Sequence, residues 1–313
     1  IELKIMATYK EIKGVTVQSL DADPVLNVGS WSSGGSLNTG RWGLNSAAGS
    51  GVSAGLISGG YTGSNSALVE QYNGTSWTEK SDLNTARQRM STTGSVTAAI
   101  TFGGGPPASA LTETWDGSSW TEVGDLNTGR WGGAGGGTTT AAIFSTGNNP
   151  SNVANVELWD GTSWTETTDV NTARQETAGS GIHTAALVFG GYSSTAIGNT
   201  ESWNGSSWTE LNDLNQVRDG LSGSTNGTNT LALAFGGADP SPAQTAKTES
   251  WDGTSWTEVN DLSVARRLSA GSGTATSALM SGGYPSPLGS NTEEFDFPPP
   301  TAAILTEGDV FLS

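Results

Sequence analysis

The feature that most constrains this chain is an internal repeat. A tryptophan-centred phrase, Ser-Trp-Thr-Glu in its clearest copies, recurs six times at intervals of 43 to 48 residues. The six tryptophans are Trp31, Trp77, Trp120, Trp164, Trp208 and Trp256. A period of this size is typical of solenoids and propellers, in which each unit is one supersecondary element that stacks on its neighbours.

Each copy carries the same landmarks in the same order. An arginine stands ten residues after each tryptophan, and a short apolar run that ends in glycine follows about eight small residues later. A loop of variable sequence comes next, then an aromatic residue with Asp or Asn and, in five copies, Gly, and then the next tryptophan. The arginines are Arg41, Arg87, Arg130, Arg174, Arg218 and Arg266.

The unit predicts four short antiparallel strands. In the fourth copy the segments 174–181 and 184–191 are short, poor in helix formers and bounded by glycine, which favours strands. The third strand holds the aromatic residue and the fourth holds the tryptophan, and the Asp-Gly or Asn-Gly between them predicts a two-residue hairpin turn. Four strands in about 44 residues cannot bury both faces alone, so the units must stack.

Composition alone favours disorder, because only 34% of the residues are hydrophobic and the net charge is −17. The 12 tryptophans argue against disorder, since tryptophan is the side chain that gains most from burial. The 45 glycines fit a repeat that needs closely packed inner strands and tight turns. We therefore expect an all-β protein with a core of aromatic side chains.

The unit resembles a kelch repeat, in which a Gly-Gly doublet ends the second strand and an aromatic residue near an Asp precedes a tryptophan, as Trp115 precedes Trp120. The resemblance covers residues 30–297 and implies a six-bladed β-propeller of four-stranded antiparallel blades. The last copy ends near Phe295 without a fourth strand, whereas Trp31 has no strands before it. We expect the N-terminal strand around Trp31 to complete the last blade and close the ring.

Three parts are predicted: an N-terminal arm at 1–29, the propeller at 30–297 and a Pro-rich tail at 298–313. The repeat wording, the N-terminal segment and the tail are similar to those of predicted tail or appendage proteins of marine bacteriophages. That resemblance implies a virion protein that is found outside the cell. Its two arms would contact other virion proteins, and it could form a homo-oligomer. Virion proteins leave by lysis, which agrees with the lack of an apolar secretion segment in residues 1–14.

Composition also excludes several kinds of chemistry. The absence of cysteine removes thiolate metal sites and cysteine nucleophiles, and the single histidine, His183, rules out a histidine metal cluster. No calcium loop of the Asp-x-Asp-x-Asp-Gly type occurs, so we expect no cofactor and no metal. With 30 acidic and 13 basic residues, and no apolar run of about 20, nucleic acid and membrane insertion are not expected.

Two classes of propeller enzyme come near this sequence. Galactose-oxidase-like copper enzymes need a Cys–Tyr crosslink and two histidines, which this chain lacks. The Asp-box of sialidases resembles residues 249–256, but here the tryptophan stands one residue too close to the Asp. Most carboxylates lie at positions that repeat in the blades, whereas a catalytic pair requires asymmetry. We expect a protein that is not an enzyme, with a glycan-degrading enzyme as the second alternative.

Recognition is expected on the face that carries the variable loops, because antiparallel strand order puts them beside the links that contain the arginines. His183 falls on the opposite face. Aromatic rings beside short polar side chains are typical of sugar sites, and converging arginines would suit an anion such as sulfate, uronate or sialate. The candidate ligand-binding residues are Trp42, Tyr61, Trp131, Tyr192, Tyr284, Arg41, Arg130 and Arg174.

Structural roles remain open for the same side chains. The excess of acidic residues predicts that each arginine forms an ion pair with a neighbouring Asp or Glu, and the Asp five residues before it is one such partner. The tyrosine rings would alternatively pack over the edge of a blade. The first functional hypothesis is a non-enzymatic adhesion module that recognises host-surface glycan or protein. The alternative is a structural or decoration protein of the virion with no ligand.

Overall fold

A computed structural model of the protein contains six separate four-stranded sheets. It describes residues 29–48, 51–284 and 289–297. Contacts group residues 28–297 into one compact unit. The arms predicted at 1–29 and 298–313 lie outside the described residues, apart from Gly29.

The strands are short, from two to five residues each. Numbered in chain order they are β1 Ser30–Ser33, β2 Asn45–Ala48, β3 Gly55–Ser58, β4 Val69–Tyr72, β5 Trp77–Lys80, β6 Ser91–Gly94, β7 Ala99–Phe102, β8 Thr112–Trp115, β9 Trp120–Glu122, β10 Ala134–Thr138, β11 Ala141–Ser145, β12 Val156–Trp159, β13 Trp164–Glu166, β14 Ala178–Ile182, β15 Ala185–Phe189, β16 Thr200–Trp203, β17 Trp208–Glu210, β18 Ser222–Gly223, β19 Ala232–Phe235, β20 Thr248–Trp251, β21 Trp256–Glu258, β22 Ala270–Gly273, β23 Ser277–Ser281 and β24 Thr292–Asp296. The described residues contain one short 3-10 turn, Gly51–Ser53, and no α-helix.

Five blades are antiparallel meanders of consecutive strands, and the sixth joins the two ends of the ring. Blades I to V are β2–β5, β6–β9, β10–β13, β14–β17 and β18–β21, and blade VI is β22, β23, β24 and β1. The first strands of neighbouring blades contact one another all the way round, so they surround a common axis. The all-β, six-bladed propeller predicted from the repeat is confirmed.

Closure by the N-terminal strand is also confirmed. β1 pairs with β24, with Trp31 opposite Phe295. The Trp31 ring centre lies 5.0 Å from that of Phe235 and 5.2 Å from that of Phe295, and its indole N–H donates to the Thr248 hydroxyl at 3.0 Å. Trp31 therefore plays the part that the other fourth-strand tryptophans play in their own blades.

The hydrophobic core lies between adjacent blades. Phe102 of blade II, for example, packs against Phe144 and Trp164 of blade III, with ring centres 5.0 and 4.8 Å apart. The Trp164 indole N–H then donates to Thr112 of blade II at 3.0 Å. The same bond links Trp256 to Thr200 and Trp77 to Thr292. Large aromatic rings at each interface thus replace the aliphatic side chains that the composition lacks.

The two residues after the second strand, a glycine pair in five blades and Thr146-Gly147 in blade III, link each blade to the next. The second of them is a glycine with a φ between 104° and 123° in every blade, a conformation that favours glycine. Its N–H donates at 2.8 to 2.9 Å to the carbonyl of the following blade's arginine, in the six pairs Gly60–Arg87, Gly104–Arg130, Gly147–Arg174, Gly191–Arg218, Gly237–Arg266 and Gly283–Arg41. Because the last pair returns to blade I, these bonds form a closed ring.

The predicted two-residue hairpin turn is wrong. Trp115 pairs directly with Trp120, so four residues form the turn. The Asp116 side chain accepts hydrogen bonds from the backbone N–H groups of Ser118 and Ser119, at 2.8 and 2.9 Å, and so stabilises this longer turn. Together with the Ser118 hydroxyl, the largest influence, these donors lower the pKa of Asp116 to about 2.

The predicted first strand also begins too early. In the fourth copy it was expected at 174–181, but β14 runs from Ala178 to Ile182. Glu176 has a φ of 54°, in the left-handed region, which is incompatible with a continuous strand. Residues 174–177 instead turn toward the axis of the propeller, where the candidate site lies.

Candidate binding site at the mouth of the axial channel

Cavities lie along the axis of the propeller. One is lined by the residues that follow the arginines in all six blades. We define the mouth as the residues one and two positions after each of the six arginines, together with the loop residues Tyr61, Tyr192 and Tyr284 that form bridges with them. At the opposite end a cavity of about 340 Å³ is lined by Thr138, Ile182 and Asn226 among others. His183 directly follows Ile182 in the turn between β14 and β15, on the face opposite the mouth.

The mouth lies on the face of the variable loops, as strand order predicts. The residue after the arginine forms an isolated antiparallel bridge with the first residue of the variable loop in five blades. These bridges are Trp42 with Tyr61, Trp131 with Asn148, Gln175 with Tyr192, Asp219 with Ala238 and Arg267 with Tyr284. Loop starts and arginine links are therefore joined by backbone hydrogen bonds.

The six arginines lie behind the mouth. Each is almost completely buried and forms an ion pair with a glutamate on the third strand of its blade. The pairs are Arg41–Glu70, Arg87–Glu113, Arg130–Glu157, Arg174–Glu201, Arg218–Glu249 and Arg266–Glu293. Burial lowers the pKa of Arg218 to about 10, with Glu249 opposing the shift, so the guanidinium remains charged at neutral pH.

The prediction that Arg41, Arg130 and Arg174 contact a ligand is therefore corrected. Their side chains are inaccessible to solvent, and a glutamate already neutralises each charge. The structural alternative, an arginine held by a nearby acid, is what the geometry shows. The partner is the third-strand glutamate and not the Asp five residues before the arginine. That Asp, represented by Asp125, instead accepts the backbone N–H of Thr112 at 3.2 Å.

The same glutamate holds the link between blades. In blade III the second carboxylate oxygen of Glu157 accepts the backbone and side-chain N–H groups of Asn127, at 2.7 and 2.8 Å. The Asn127 amide also donates to the Trp164 carbonyl at 2.8 Å. This contact network explains why the Leu-Asn phrase, the arginine and the tryptophan repeat together.

Peptide groups of the mouth form a second ring around the axis. The residues two positions after the arginines all have φ between 52° and 70°, and they alternate between glycine and a larger residue: Gly43, Arg89, Gly132, Glu176, Gly220 and Leu268. Five of the six neighbouring pairs are joined by a direct N–H to carbonyl bond of 2.6 to 3.0 Å, and Thr177 donates to Gly132 at 3.3 Å in the sixth. These bonds fix the backbone at this end of the channel.

Aromatic rings dominate the part of the mouth formed by blades I to III. Trp42 stacks on Tyr61 with ring centres 4.7 Å apart. The Arg89 guanidinium lies 5.6 Å from the Trp42 ring centre and 4.9 Å from that of Trp131, and it forms an ion pair with Glu176 at 2.7 Å. Trp42, Tyr61 and Trp131 are half-buried. In this half the aromatic faces and charges are largely occupied by contacts within the protein.

Blades IV to VI form a more open half. Tyr192 and Tyr284 are each 36% exposed. Asp219 is only 7% exposed, yet its Oδ1 has no hydrogen-bond partner, and the nearest cationic nitrogen, on Arg267, is 3.9 Å away. The Arg267 guanidinium lies 5.7 Å from the Tyr284 ring centre. This half therefore presents exposed rings beside polar groups whose bonding capacity is not filled.

The electrostatics of the mouth centre on Asp219. Burial and, to a smaller extent, the nearby Glu176 raise the pKa of Asp219 to about 6, whereas Arg267 and Arg89 oppose the shift. The Asp219 carboxyl therefore titrates within the range in which biological pH varies.

Sequence reasoning missed Arg89, Glu176, Asp219 and Arg267. It relied on landmarks that repeat and on loops that vary, but the pair of residues after each arginine varies as well. The six pairs are Trp-Gly, Gln-Arg, Trp-Gly, Gln-Glu, Asp-Gly and Arg-Leu. A comparison of these pairs would have indicated all four residues.

No protein-family model matches the chain, and no curated protein gives a significant match to it. Within the described residues, no three acidic or histidine side chains are grouped so that they could hold a metal ion. In the same part of the chain, no helix is long and apolar enough to cross a membrane.

Proposed function

We propose that the protein is a non-enzymatic binding module that recognises a glycan or a protein on a host surface through the loop face of its propeller. The observation that carries this proposal is the contrast within one short segment. The arginines are the same in every blade and buried, whereas the residues next to them differ between blades and line the mouth. Sequence that varies on a rigid, repeated scaffold is typical of recognition surfaces.

The place of action is part of the same proposal. The kelch resemblance and the resemblance to marine bacteriophage appendage proteins support a virion protein that acts outside the cell. In this proposal the segments 1–29 and 298–313 contact other virion proteins, and copies of the chain associate with one another. The net charge of −17 supports a partner other than nucleic acid.

The proposal is tested by binding of the purified protein to a glycan array and to host cells. The test variant is Tyr192→Ala with Tyr284→Ala, since both rings are exposed at the mouth. The matched control is Leu231→Ala, a 52% exposed residue in the turn before β19, on the opposite face. We expect binding by the wild type and the control and loss of binding by the double variant, with equal melting temperatures. A folded wild-type protein that binds neither array nor cells would favour the structural virion protein.

A second candidate function, glycan hydrolysis, is favoured by one observation. The Asp219 carboxyl, with its raised pKa, is close enough to Glu176 for that side chain to contribute to the shift, and Glu176 forms an ion pair with Arg89. Two neighbouring carboxyl groups are the usual acid and base of glycosidases. Incubation with host polysaccharide tests this function. New reducing ends that appear with the wild type but not with Asp219→Asn would show that the protein is an enzyme and not a binding module.

A further inference from the structure

We propose that the half of the mouth formed by blades IV to VI is a subsite for a neutral pyranose, whose adjacent hydroxyl groups bind to Asp219 and Arg267 and whose ring stacks on an exposed tyrosine. This inference rests on the proposed function, because it names the ligand class that the same mouth would take. Its experiment is chosen to distinguish failure of the subsite from failure of the binding module.

The polar atoms of this half lack partners. Asp219 Oδ1 and Gln175 Oε1 are buried acceptors without a hydrogen bond, and Arg267 Nε is a buried donor without one. A buried polar atom left unpaired destabilises the folded protein. A ligand hydroxyl that donates to Asp219 would recover much of that loss, and a second hydroxyl can accept from Arg267. The 3.9 Å between the two side chains leaves them too far apart to satisfy each other.

The backbone that carries the exposed rings beside these groups is held in place. Tyr284 exchanges two backbone hydrogen bonds with Arg267, at 3.0 and 2.8 Å, and Tyr192 exchanges two with Gln175, at the same distances. The Asn152 amide also donates to the Tyr192 carbonyl at 2.9 Å. A backbone that is ordered before binding loses little entropy when a sugar stacks on the rings it carries, and a tyrosine side chain has few torsions to restrict.

Charge favours a neutral ligand over an anionic one. Arg89 is neutralised by Glu176, and Arg267 faces Asp219, so no cation at the mouth is free of a carboxylate. The two bare acceptors, Gln175 Oε1 and Asp219 Oδ1, would repel the carboxylate of a sialic or uronic acid. The excess of 17 negative charges on the whole chain adds to that repulsion.

The other half of the mouth differs in the exposure of its rings. It also contains buried polar atoms without partners, Gln88 Oε1 and Arg89 Nε. Its rings, however, are half-buried, because Trp42 packs against Tyr61 and the Arg89 guanidinium lies near both Trp42 and Trp131. A sugar on that side would have to displace contacts that already exist. The subsite is therefore assigned to blades IV to VI only.

The experiment measures binding of the full chain to single sugars by saturation-transfer NMR and calorimetry. The probes are the methyl pyranosides of mannose, galactose and glucose, and, as acidic probes, N-acetylneuraminic acid and glucuronic acid. We expect at least one neutral pyranoside to bind and the acidic sugars not to bind. Asp219→Asn, which keeps the shape but removes the charged acceptor, should weaken binding roughly 10- to 100-fold. The control Leu231→Ala, on the opposite face, should leave binding within about threefold of the wild type, and Trp42→Ala reports on the other half of the mouth.

Each other outcome overturns the inference. If host cells bind the protein but no neutral pyranoside does, or if the acidic sugars bind in preference, the subsite is wrong and the binding module stands. If Trp42→Ala abolishes sugar binding and Asp219→Asn does not, the sugar lies in the other half. If neither cells nor sugars bind, the proposed function fails together with the subsite. Melting temperatures of both variants, compared with the wild type, show whether a loss of binding is a loss of fold.

Discussion

The arginine that begins each blade and the two residues after it are neighbours in the chain, but they differ in every other respect. The arginine is the same in all six blades, fully enclosed and neutralised by a glutamate. Five different pairs follow the six arginines, and the second residue of each pair lines the axial cavity. The comparison shows that the repeated scaffold and the variable surface of this propeller are separated by a single peptide bond.

The largest effect is expected from breaking one buried pair. Arg130→Met would leave Glu157 as an unpaired charge in the protein interior, and the loss of one partner of such a pair costs about 3–5 kcal/mol of unfolding free energy. The double variant Arg130→Met with Glu157→Leu removes both charges and should regain much of that loss. Denaturant unfolding measures both.

The matched control is Arg89→Met at the mouth, which should cost only about 1 kcal/mol because Arg89 and Glu176 are partly exposed. Equal losses for the two single variants would abolish the distinction between scaffold and mouth.

A smaller and pH-dependent effect is expected at Asp219. Its pKa in the folded protein is about 6, above the ordinary 3.8, so folding disfavours its ionised form. The stability linked to this group is complete below about pH 4 and is lost as the pH rises through 6, by about 3 kcal/mol in total. The Asp219→Asn variant has no ionisable group at this position. The difference between its unfolding free energy and that of the wild type should therefore increase by that amount between pH 4 and pH 7.5.

Unfolding measured across this pH range in both proteins checks the prediction. The charged groups that face Asp219, namely Glu176, Arg267 and Arg89, are the same in both proteins. The turn aspartates with lowered pKa values, such as Asp116, have the opposite pH dependence but cancel in the difference. A difference that stays constant with pH would show that Asp219 is solvated like a surface carboxyl.

The smallest effect is expected from the backbone of the mouth. Arg89 has a φ of 52°, a conformation that glycine adopts freely and other residues adopt at a cost. Arg89→Gly and Arg89→Ala both remove the ion pair with Glu176, so their difference reports the backbone alone. We expect the glycine variant to be more stable by about 1 kcal/mol in denaturant unfolding. The reverse order would mean that the left-handed ring is not maintained without its side chains.

The sequence predicted the architecture well because the architecture is what the repeats share. The tryptophan period and the unpaired strand at Trp31 were sufficient for six blades and their closure. The partner of the arginines was missed although it was visible. Glu157 and Trp159 are two residues apart on one strand and so share its buried face, and a buried carboxylate requires a cation.

The mouth was less predictable, for a physical reason. Trp42 and Trp131 were found because they are large and stand beside a landmark. The other mouth residues depend for their roles on which blades face each other across the channel, and the order of residues along the chain does not determine this arrangement. These residues are Arg89, Glu176, Asp219 and Arg267. The four-residue turn at Asp116 differed from the expected hairpin because a side chain, and not the backbone, satisfies its donors.

The alternation of small and large residues in the left-handed ring constrains the number of blades. Each large member leans over the glycine of the blade before it: a Cβ on Gly43 would lie 3.4 Å from Arg89 Cγ, and one on Gly220 would lie 3.3 Å from Leu268 Cδ2. In an alternating circle the number of members must be even. Duplication or loss of a single blade would place two large residues, or two glycines, side by side. The alternation is therefore kept only when blades are added or removed in pairs.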